Sequence, residues 1–194
     1  VVILAAGQGT RMKSTTPKVL HEISGKSMLF HAIDAAKNVS DDITVVLYHQ
    51  AERIQKEIEA AYEDIRFHMQ DAQRFPGTGG AMKGVKVKHT KALILNGDMP
   101  LVTTDSLLAL MDGDADINMS VIKLDDPSGY GRVVISEGKV HEIVEEKDCI
   151  PAQKEIQTVN AGVYCVKKEL LDSYIPALNN DNAQKEYYLT DIVK

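Results

Sequence analysis

The sequence has few cysteines and no cluster of basic residues, and both shortages exclude classes of protein. Only Cys149 and Cys165 occur among 194 residues of otherwise ordinary globular composition, which favours a reducing compartment over a secreted disulfide scaffold. The 22 lysines and arginines are scattered along the chain and outnumbered by 28 acidic residues, so the net charge is −6. A nucleic-acid partner is therefore not expected, and any anionic ligand must be bound by a local site.

Long apolar runs are also absent. The apolar segment at residues 1–6 is far too short to span a bilayer, has no basic segment before it and leads directly into a glycine-rich turn. We interpret it as a buried strand. The sequence thus predicts no membrane partner and a cytoplasmic location.

Several patterns of catalytic chemistry are missing as well. The six histidines include no pair with the spacing of a zinc site. There is no Gly-x-Ser-x-Gly motif and no thiol with a plausible neighbouring base, so no nucleophile for covalent catalysis is visible.

What the sequence does contain is a regular alternation of strand and helix patterns. Short runs rich in Val, Ile and Leu occur at residues 1–6, 43–48, 65–69, 92–96 and 117–124. Amphipathic patterns lie between them, at residues 27–37, 51–62, 80–88 and 104–111. This order predicts an α/β fold, with a Rossmann-like, mostly parallel sheet and helices on both faces. Ligands should gather at the carboxyl ends of the strands.

The alternation stops after residue 124. Strand patterns then follow one another at residues 132–136, 139–145 and 159–166, and residues 186–194 resemble the start of a helix. We therefore predict a single domain over residues 1–194, in which residues 1–124 form the α/β layer and residues 125–194 include a small β-rich lobe.

The first candidate site is the loop after the opening strand. Gly7 and Gly9 would let backbone N–H groups approach an anion closely, and Arg11 and Lys18 add positive charge nearby. We interpret this loop as a cradle for a polyphosphate, with a plain tight turn as the alternative. A Rossmann dinucleotide loop is disfavoured because Met12 stands where a third glycine is needed.

Two further segments follow strands and should lie at the same edge of the sheet. Asp98 comes directly after the strand at residues 92–96 and could hold Mg²⁺ together with substrate phosphates, although it could instead cap the helix that begins near Thr103. The polar, glycine-rich segment at residues 70–80 could present Gln70 and backbone groups to the edge of a base, although a simple surface loop is an equal alternative.

Taken together, the motifs resemble one family over nearly the whole chain: the N-terminal uridylyltransferase domain of the bacterial bifunctional N-acetylglucosamine-1-phosphate uridylyltransferase and glucosamine-1-phosphate acetyltransferase. The resemblance rests on residues 4–12, 17–21, 77–78, 97–98, 129–132, 143–145, 160–162, 182–184 and 187–191. The first of these motifs also fits cytidylyl, thymidylyl and molybdopterin-cofactor transferases, whereas the whole set is specific.

The resemblance implies that the chain joins UTP to N-acetylglucosamine 1-phosphate, releasing pyrophosphate and forming the cell-wall precursor UDP-N-acetylglucosamine. It implies Mg²⁺ on Asp98 and phosphate binding by Arg11 and Lys18, and these three are the expected catalytic residues. The uridine site would consist of Leu4, Ala6, Gly7, Gln70, Gly77 and Thr78. The sugar phosphate would be bound by Gly131, Glu145, Asn160, Tyr188 and Thr190, which makes residues 125–194 the sugar-phosphate part.

Some positions depart from the family pattern. Asn96 stands where many relatives have Tyr, Gly80 replaces a common His, and the spacing from Gln70 to Gly77 is longer than usual. The family's second metal ligand, an Asn, and the acetyltransferase repeats lie in segments that this sequence does not contain. We therefore expect a C-terminally truncated domain of a homotrimeric protein. Another sugar-1-phosphate nucleotidyltransferase, or a non-catalytic nucleotide-binding fragment, remains an alternative.

Overall fold

A twisted sheet of parallel strands carries the first half of the chain. The computed structural model describes residues 1–9 and 12–193. In spatial order, the parallel strands are β5 (Ile65–Met69), β4 (Ile43–Leu47), β1 (Val2–Leu4) and β6 (Lys91–Asn96). Two strands of two residues each, β2 (Glu22–Ile23) and β3 (Lys26–Ser27), form a separate hairpin. Because β1 and β4 are buried almost completely, their sequences are nearly continuous apolar runs.

The second half of the chain continues the same sheet. Strand β10 (Thr158–Lys167) pairs antiparallel with β6, with β7 (Ile117–Lys123) and with β8 (Arg132–Ser136), and β8 pairs antiparallel with β9 (Lys139–Val144). Of the eight strands in the described part of the sheet, all except β9 and β10 therefore run in the same direction. The expected β-rich lobe is the β8–β9 end of this sheet.

Helices cover both faces of the sheet because neighbouring strand residues face opposite sides. On one face Ile3 packs in a core with three helices, α1 (Met28–Lys37), α2 (Ala51–Ala61) and α4 (Thr104–Met111). On the other face Val2 packs with α3 (Thr78–Met82), α6 (Lys168–Ala177) and the 3₁₀ helix Leu189–Val193. The predicted α/β class is confirmed. None of the helices in the described ranges has the length and apolar character needed to span a bilayer.

Two predicted helical segments differ from the structure, and the structure contains two α-helices that the sequence patterns did not predict. The helix predicted at residues 80–88 is wrong: α3 ends at Met82, Lys83 is extended, and Gly84 has a φ of +84° that interrupts a helix. Helix α6 was not predicted, and it contains Pro176 in its last turn, where a proline normally argues against a helix. The segment predicted as a helix start at residues 186–194 contains a 3₁₀ helix, Leu189–Val193. A further short helix, α5, spans Pro151–Lys154.

Candidate active site

The carboxyl ends of the parallel strands open into a cleft of about 610 Å³. Strand β1 leads into the Gly7 loop, β5 into Gln70, and β6 into Asp98, so the chain returns three times to the same edge of the sheet. The structure brings together eight residues that the sequence assigned to nucleotide or metal binding: Leu4, Ala6, Gly7, Lys18, Gln70, Gly77, Thr78 and Asp98. Arg11 lies outside the described residues.

An ion pair between Lys18 and Asp98 lies at the floor of this cleft. Both side chains are about one-third exposed, so the pair is accessible to a ligand. Gly9 stands behind Lys18: its φ is +60°, and a Cβ atom there would lie 2.6 Å from the Cβ of Lys18. A glycine is therefore needed for the loop to pack against the lysine. The predicted phosphate-binding charge and the predicted metal ligand meet at this point.

Asp98 is not the cap of α4. Thr103 occupies the N-cap position, accepts a hydrogen bond from the Ser106 amide at 3.2 Å and forms a capping box with that residue. The carboxylate of Asp98 is thus left to the cleft. Within the described residues no group of three or more His, Cys, Asp or Glu side chains could hold a metal ion. The site fits a cation such as Mg²⁺ only in the way that Mg²⁺ commonly binds, with one carboxylate completed by substrate phosphates and water.

Gln70 is buried and holds the loop that follows it. Its side-chain nitrogen donates to the carbonyl oxygens of Phe75 at 2.9 Å and Gly77 at 3.1 Å. An amide nitrogen has two hydrogens, so both are used within the loop. No described residue donates to the side-chain oxygen of Gln70. That oxygen is the group through which this side chain can accept a hydrogen bond from a ligand in the cleft.

The base loop, residues 70–77, is fastened to the far end of the chain. The Tyr187 amide donates to the Pro76 carbonyl, and the Gly79 amide donates to the Tyr187 carbonyl, each at 2.8 Å. Gly77 has a φ of +91°, and a Cβ atom there would come within 2.6 Å of the Tyr187 carbonyl oxygen. Thr78 adds a third link, because its hydroxyl oxygen accepts from the Leu189 amide at 3.1 Å. The two halves of the chain therefore share one site.

A smaller cavity of about 170 Å³ adjoins the cleft. Leu4, Thr78 and Asn96 line both spaces. The small cavity also contains three residues that the resemblance assigned to the sugar phosphate, Glu145, Asn160 and Thr190. A fourth, Gly131, lies beside them: a Cβ atom at Gly131 would be 3.5 Å from both carboxylate oxygens of Glu145.

The small cavity has both apolar and polar lining residues, and several of its polar side chains are hydrogen-bonded. Glu145 accepts a hydrogen bond from the Thr190 hydroxyl at 3.0 Å. Burial raises the pKa of Glu145, and the nearby carboxylates of Asp148, Asp191 and Glu186 raise it further, whereas the Thr190 hydroxyl opposes the shift. The side-chain oxygen of Asn160 accepts from the Gly162 amide at 2.9 Å, and its nitrogen donates to the Tyr164 hydroxyl.

Tyr188 is not brought into the small cavity. It lines a third, acidic cavity of about 530 Å³ on the other side of Glu145. Its hydroxyl donates to a carboxylate oxygen of Asp148 at 3.1 Å and accepts from the Gln184 side chain at 2.9 Å. Burial raises the pKa of Tyr188 to about 12. The tyrosine hydroxyl therefore binds Asp148 and Gln184, and Tyr188 does not line the small cavity.

Asn96 is a site residue that the motif reading did not assign. It is the last residue of β6 and lines both the cleft and the small cavity, so it lies where their contents would meet. Its place directly before Gly97 and Asp98 was the available signal. From the sequence, Asn96 is notable only as a departure from a family pattern.

Comparison with known proteins identifies the family. A model of the MobA-like NTP transferase domain matches residues 1–170. The chain belongs to this family. The bifunctional protein GlmU of Sulfurovum sp. (strain NBC37-1) is similar over the whole chain, with 74% identity over 194 residues, and the chain spans 45% of that relative's length.

Solved structures resemble this NTP transferase domain in fold. HddC from Yersinia pseudotuberculosis, complexed with GMP-PN, is 25% identical with a TM-score of 0.69, and the match covers 97% of this chain and 82% of HddC. The inositol-1-phosphate CTP transferase from T. maritima has a TM-score of 0.75 at 17% identity, covering 99% of this chain and 78% of that one. The second likeness concerns the fold alone.

Proposed function

We propose that this NTP transferase domain transfers a uridylyl group from UTP to N-acetylglucosamine 1-phosphate, giving UDP-N-acetylglucosamine and pyrophosphate. One observation carries the proposal: a cleft with a paired lysine and carboxylate adjoins a small cavity that is lined by Glu145, Asn160 and Thr190. A nucleotide fills the first space and a sugar phosphate the second, so their reacting groups meet near Asn96. The family match and the 74% identical GlmU relative support the same assignment.

The nucleotide half recognises uracil and phosphates with different groups. The side-chain oxygen of Gln70 accepts from the N–H of uracil, because the loop already uses both amide hydrogens of this side chain. Leu4, Ala6, Gly77 and Thr78 form the walls. Backbone N–H groups of the Gly7 loop, together with Lys18, bind the phosphates. Arg11 is proposed for the same role on its place in the motif alone.

The metal ligand is Asp98, and we assign the ion as Mg²⁺. When bound, this ion neutralises negative charge on the phosphates and orients them. Asp98 supplies one carboxylate oxygen at the end of β6, next to the amine of Lys18. Oxygens of the substrate and water would supply the other ligands.

The chemistry needs positioning more than it needs a protein base. A phosphate monoester is largely dianionic at neutral pH, since its second pKa is about 6. An oxygen of the sugar phosphate attacks the α-phosphorus of UTP, the bond from this phosphorus to the bridging oxygen breaks, and pyrophosphate leaves with the electron pair. Lys18 offsets the charge that develops on the leaving group.

The sugar half binds hydroxyl and amide groups. Glu145 accepts from sugar hydroxyls, while Asn160 retains one amide hydrogen that no described side chain uses. Thr190 holds the Glu145 carboxylate in place, and Gly131 lets the sugar approach because it has no side chain.

A pyrophosphate-release assay tests the proposal. The protein is supplied with Mg²⁺, N-acetylglucosamine 1-phosphate and, in parallel, UTP, CTP or dTTP. We expect release with UTP to exceed release with the other two nucleotides. Faster release with CTP or dTTP would reassign the nucleotide, and binding of UTP without any release would leave a nucleotide-binding module.

The longer protein is a separate proposal. We propose that the sequence corresponds to the uridylyltransferase part of a bifunctional, cytoplasmic protein whose remaining part forms a homotrimer. Measuring the mass in solution of a protein of the relatives' length tests the trimer independently of catalysis.

A further inference from the structure

Arg132 is a buried charge that lines none of the three cavities described above. Only 1% of this residue is exposed. Its guanidinium donates to the Tyr130 carbonyl, forms an ion pair with Glu146 at 2.6 Å and reaches the Lys154 carbonyl at 3.4 Å. Its Nε atom is buried and has no hydrogen-bond partner among the described residues. An ion pair with a buried arginine is weak evidence for stability, so the position of Arg132 needs another explanation.

The strand register places Arg132 next to the residues of the small cavity. Arg132 pairs with Val159 of β10 on one side and with Val144 of β9 on the other. One residue further along, the same register places Asn160, Gly131 and Glu145 side by side in a row. The backbone N–H of Asn160 donates to the Gly131 carbonyl at 2.9 Å. Because successive strand residues face opposite sides, Arg132 lies behind this row.

Arg132 contacts the residues next in sequence to Gly131 and Glu145. The guanidinium binds the carbonyl of Tyr130, which precedes Gly131, and the carboxylate of Glu146, which follows Glu145. Glu146 in turn accepts from the Gly129 amide at 3.1 Å. The hydrogen bond from Arg132, followed by that from Gly129, lowers the pKa of Glu146, so its carboxylate stays charged. One ion pair thus closes the turn at 129–131 onto the end of β9.

We propose that the Arg132 and Glu146 pair positions Gly131 and Glu145 for the sugar phosphate without touching the substrate. This inference rests on the proposed function, because it names residues that serve the sugar half of that site. It predicts that losing the pair weakens use of the sugar phosphate and spares the nucleotide.

The experiment compares Arg132→Lys, Arg132→Met and Glu146→Gln with the unchanged protein. We expect Arg132→Met to raise KM for N-acetylglucosamine 1-phosphate about tenfold while KM for UTP stays within about twofold, because sub-ångström displacement of binding groups is costly. Arg132→Lys should recover part of the loss. Lys167→Met is the matched control: it removes an ion pair with Asp116 in the same sheet, away from the cavity, and should change neither KM.

A second measurement does not depend on turnover. In two-dimensional amide spectra, Arg132→Lys and Glu146→Gln should shift the signals of Gly131 and Asn160 but leave that of Thr78 in place. If the unchanged protein releases no pyrophosphate, the proposed function fails, while these shifts still support positioning. The inference is overturned if the Gly131 signal does not move, or if both KM values rise together. Should Arg132→Met not fold, Glu146→Gln decides, since Glu146 is one-third exposed; an unchanged KM for the sugar phosphate in that variant overturns the proposal.

Discussion

On the proposed function, the candidate site has a nucleotide half and a sugar half, and the two halves are built by different means. The nucleotide half lies where parallel strands end, and it consists of loops whose backbone groups and two opposite charges face an open cleft of about 610 Å³. The sugar half lies across antiparallel strands, and it consists of side chains in a cavity of about 170 Å³. In the cavity, the Glu145 carboxylate is already hydrogen-bonded to Thr190, and the Asn160 side chain to Gly162 and Tyr164.

The difference indicates where each half is sensitive. A charge in an open cleft acts on the reacting phosphates and contributes little to folding, so changing it affects catalysis. A partly buried carboxylate such as Glu145 affects both folding and binding, because its desolvation costs free energy whether or not a sugar is present.

Asp98→Asn is expected to have the largest effect. It removes the proposed metal ligand and should lower the rate of pyrophosphate release about 100-fold or more, as other losses of preorganised charge stabilisation do. Its melting temperature should stay close to that of the unchanged protein. The control is Asp105→Asn, which alters an exposed carboxylate in the first turn of α4. Near-normal turnover by Asp98→Asn would remove Asp98 from the metal site.

Gln70→Ala should have the next largest effect. It deletes the acceptor proposed for uracil and both hydrogen bonds that hold the base loop, so UTP binding should weaken by roughly 1–3 kcal/mol. Calorimetric titration with UTP and CTP should also show a reduced preference for UTP. Gln73→Ala changes an exposed residue of the same loop and should behave like the unchanged protein. A preserved preference in Gln70→Ala would assign the uracil contact to another residue.

Glu145→Gln tests the partly buried carboxylate through the pH dependence of stability. Burial raises the pKa of Glu145 in the folded protein. Its contribution to the free energy of unfolding is therefore greatest when the side chain is protonated, below about pH 4.3, and is lost as pH rises through the raised pKa. The glutamine stays neutral. The melting temperature of the variant, relative to that of the unchanged protein, should therefore increase as pH increases from 4 to 8. The affinity of the variant for the sugar phosphate should be lower.

The control for this pH series is Glu155→Gln, which changes an exposed carboxylate directly after α5. The same pH series on this control shows how much of any difference comes from removing a negative charge alone. A Glu145→Gln difference no larger than that of Glu155→Gln at each pH would mean that Glu145 is not destabilised by its ionisation.

Tyr188→Phe should have the smallest effect. It removes the hydroxyl that bridges Asp148 and Gln184, which should cost about 1 kcal/mol of folding stability. Since the hydroxyl faces the acidic cavity, KM for the sugar phosphate should change little. Tyr174→Phe, which alters a half-exposed tyrosine of that cavity, is the control. A large increase in KM would support the direct sugar contact that the family resemblance implies.

Local patterns were enough to predict the parallel part of the fold. Strand β5 was located to the residue, and α1, α2 and α4 within one residue at each end, because their apolar spacing is regular and Ser27 and Thr103 cap α1 and α4. Since parallel strands end at one edge, Lys18, Gln70 and Asp98 could be predicted to meet.

The sugar half could be grouped only through family resemblance. Gly131, Glu145 and Asn160 meet because of the register among β8, β9 and β10, and no local pattern states a register. Strand β10 also contains an irregularity between Asn160 and Tyr164, where its pairing with β7 shifts. The charge of Arg132 would suggest an exposed position. It is buried because strand pairing, which no local pattern specifies, brings its partner Glu146 to it.

The ion pair between Lys18 and Asp98 has a consequence for the salt dependence of nucleotide binding. On the proposed function, the metal and nucleotide arrive as a second pair of opposite charges, and binding exchanges partners: the lysine turns to phosphate and the carboxylate to the cation. The number of contacts between opposite charges is then similar before and after binding. Added salt weakens exposed ion pairs on both sides of that exchange, so affinity for the metal–nucleotide complex should depend only weakly on ionic strength.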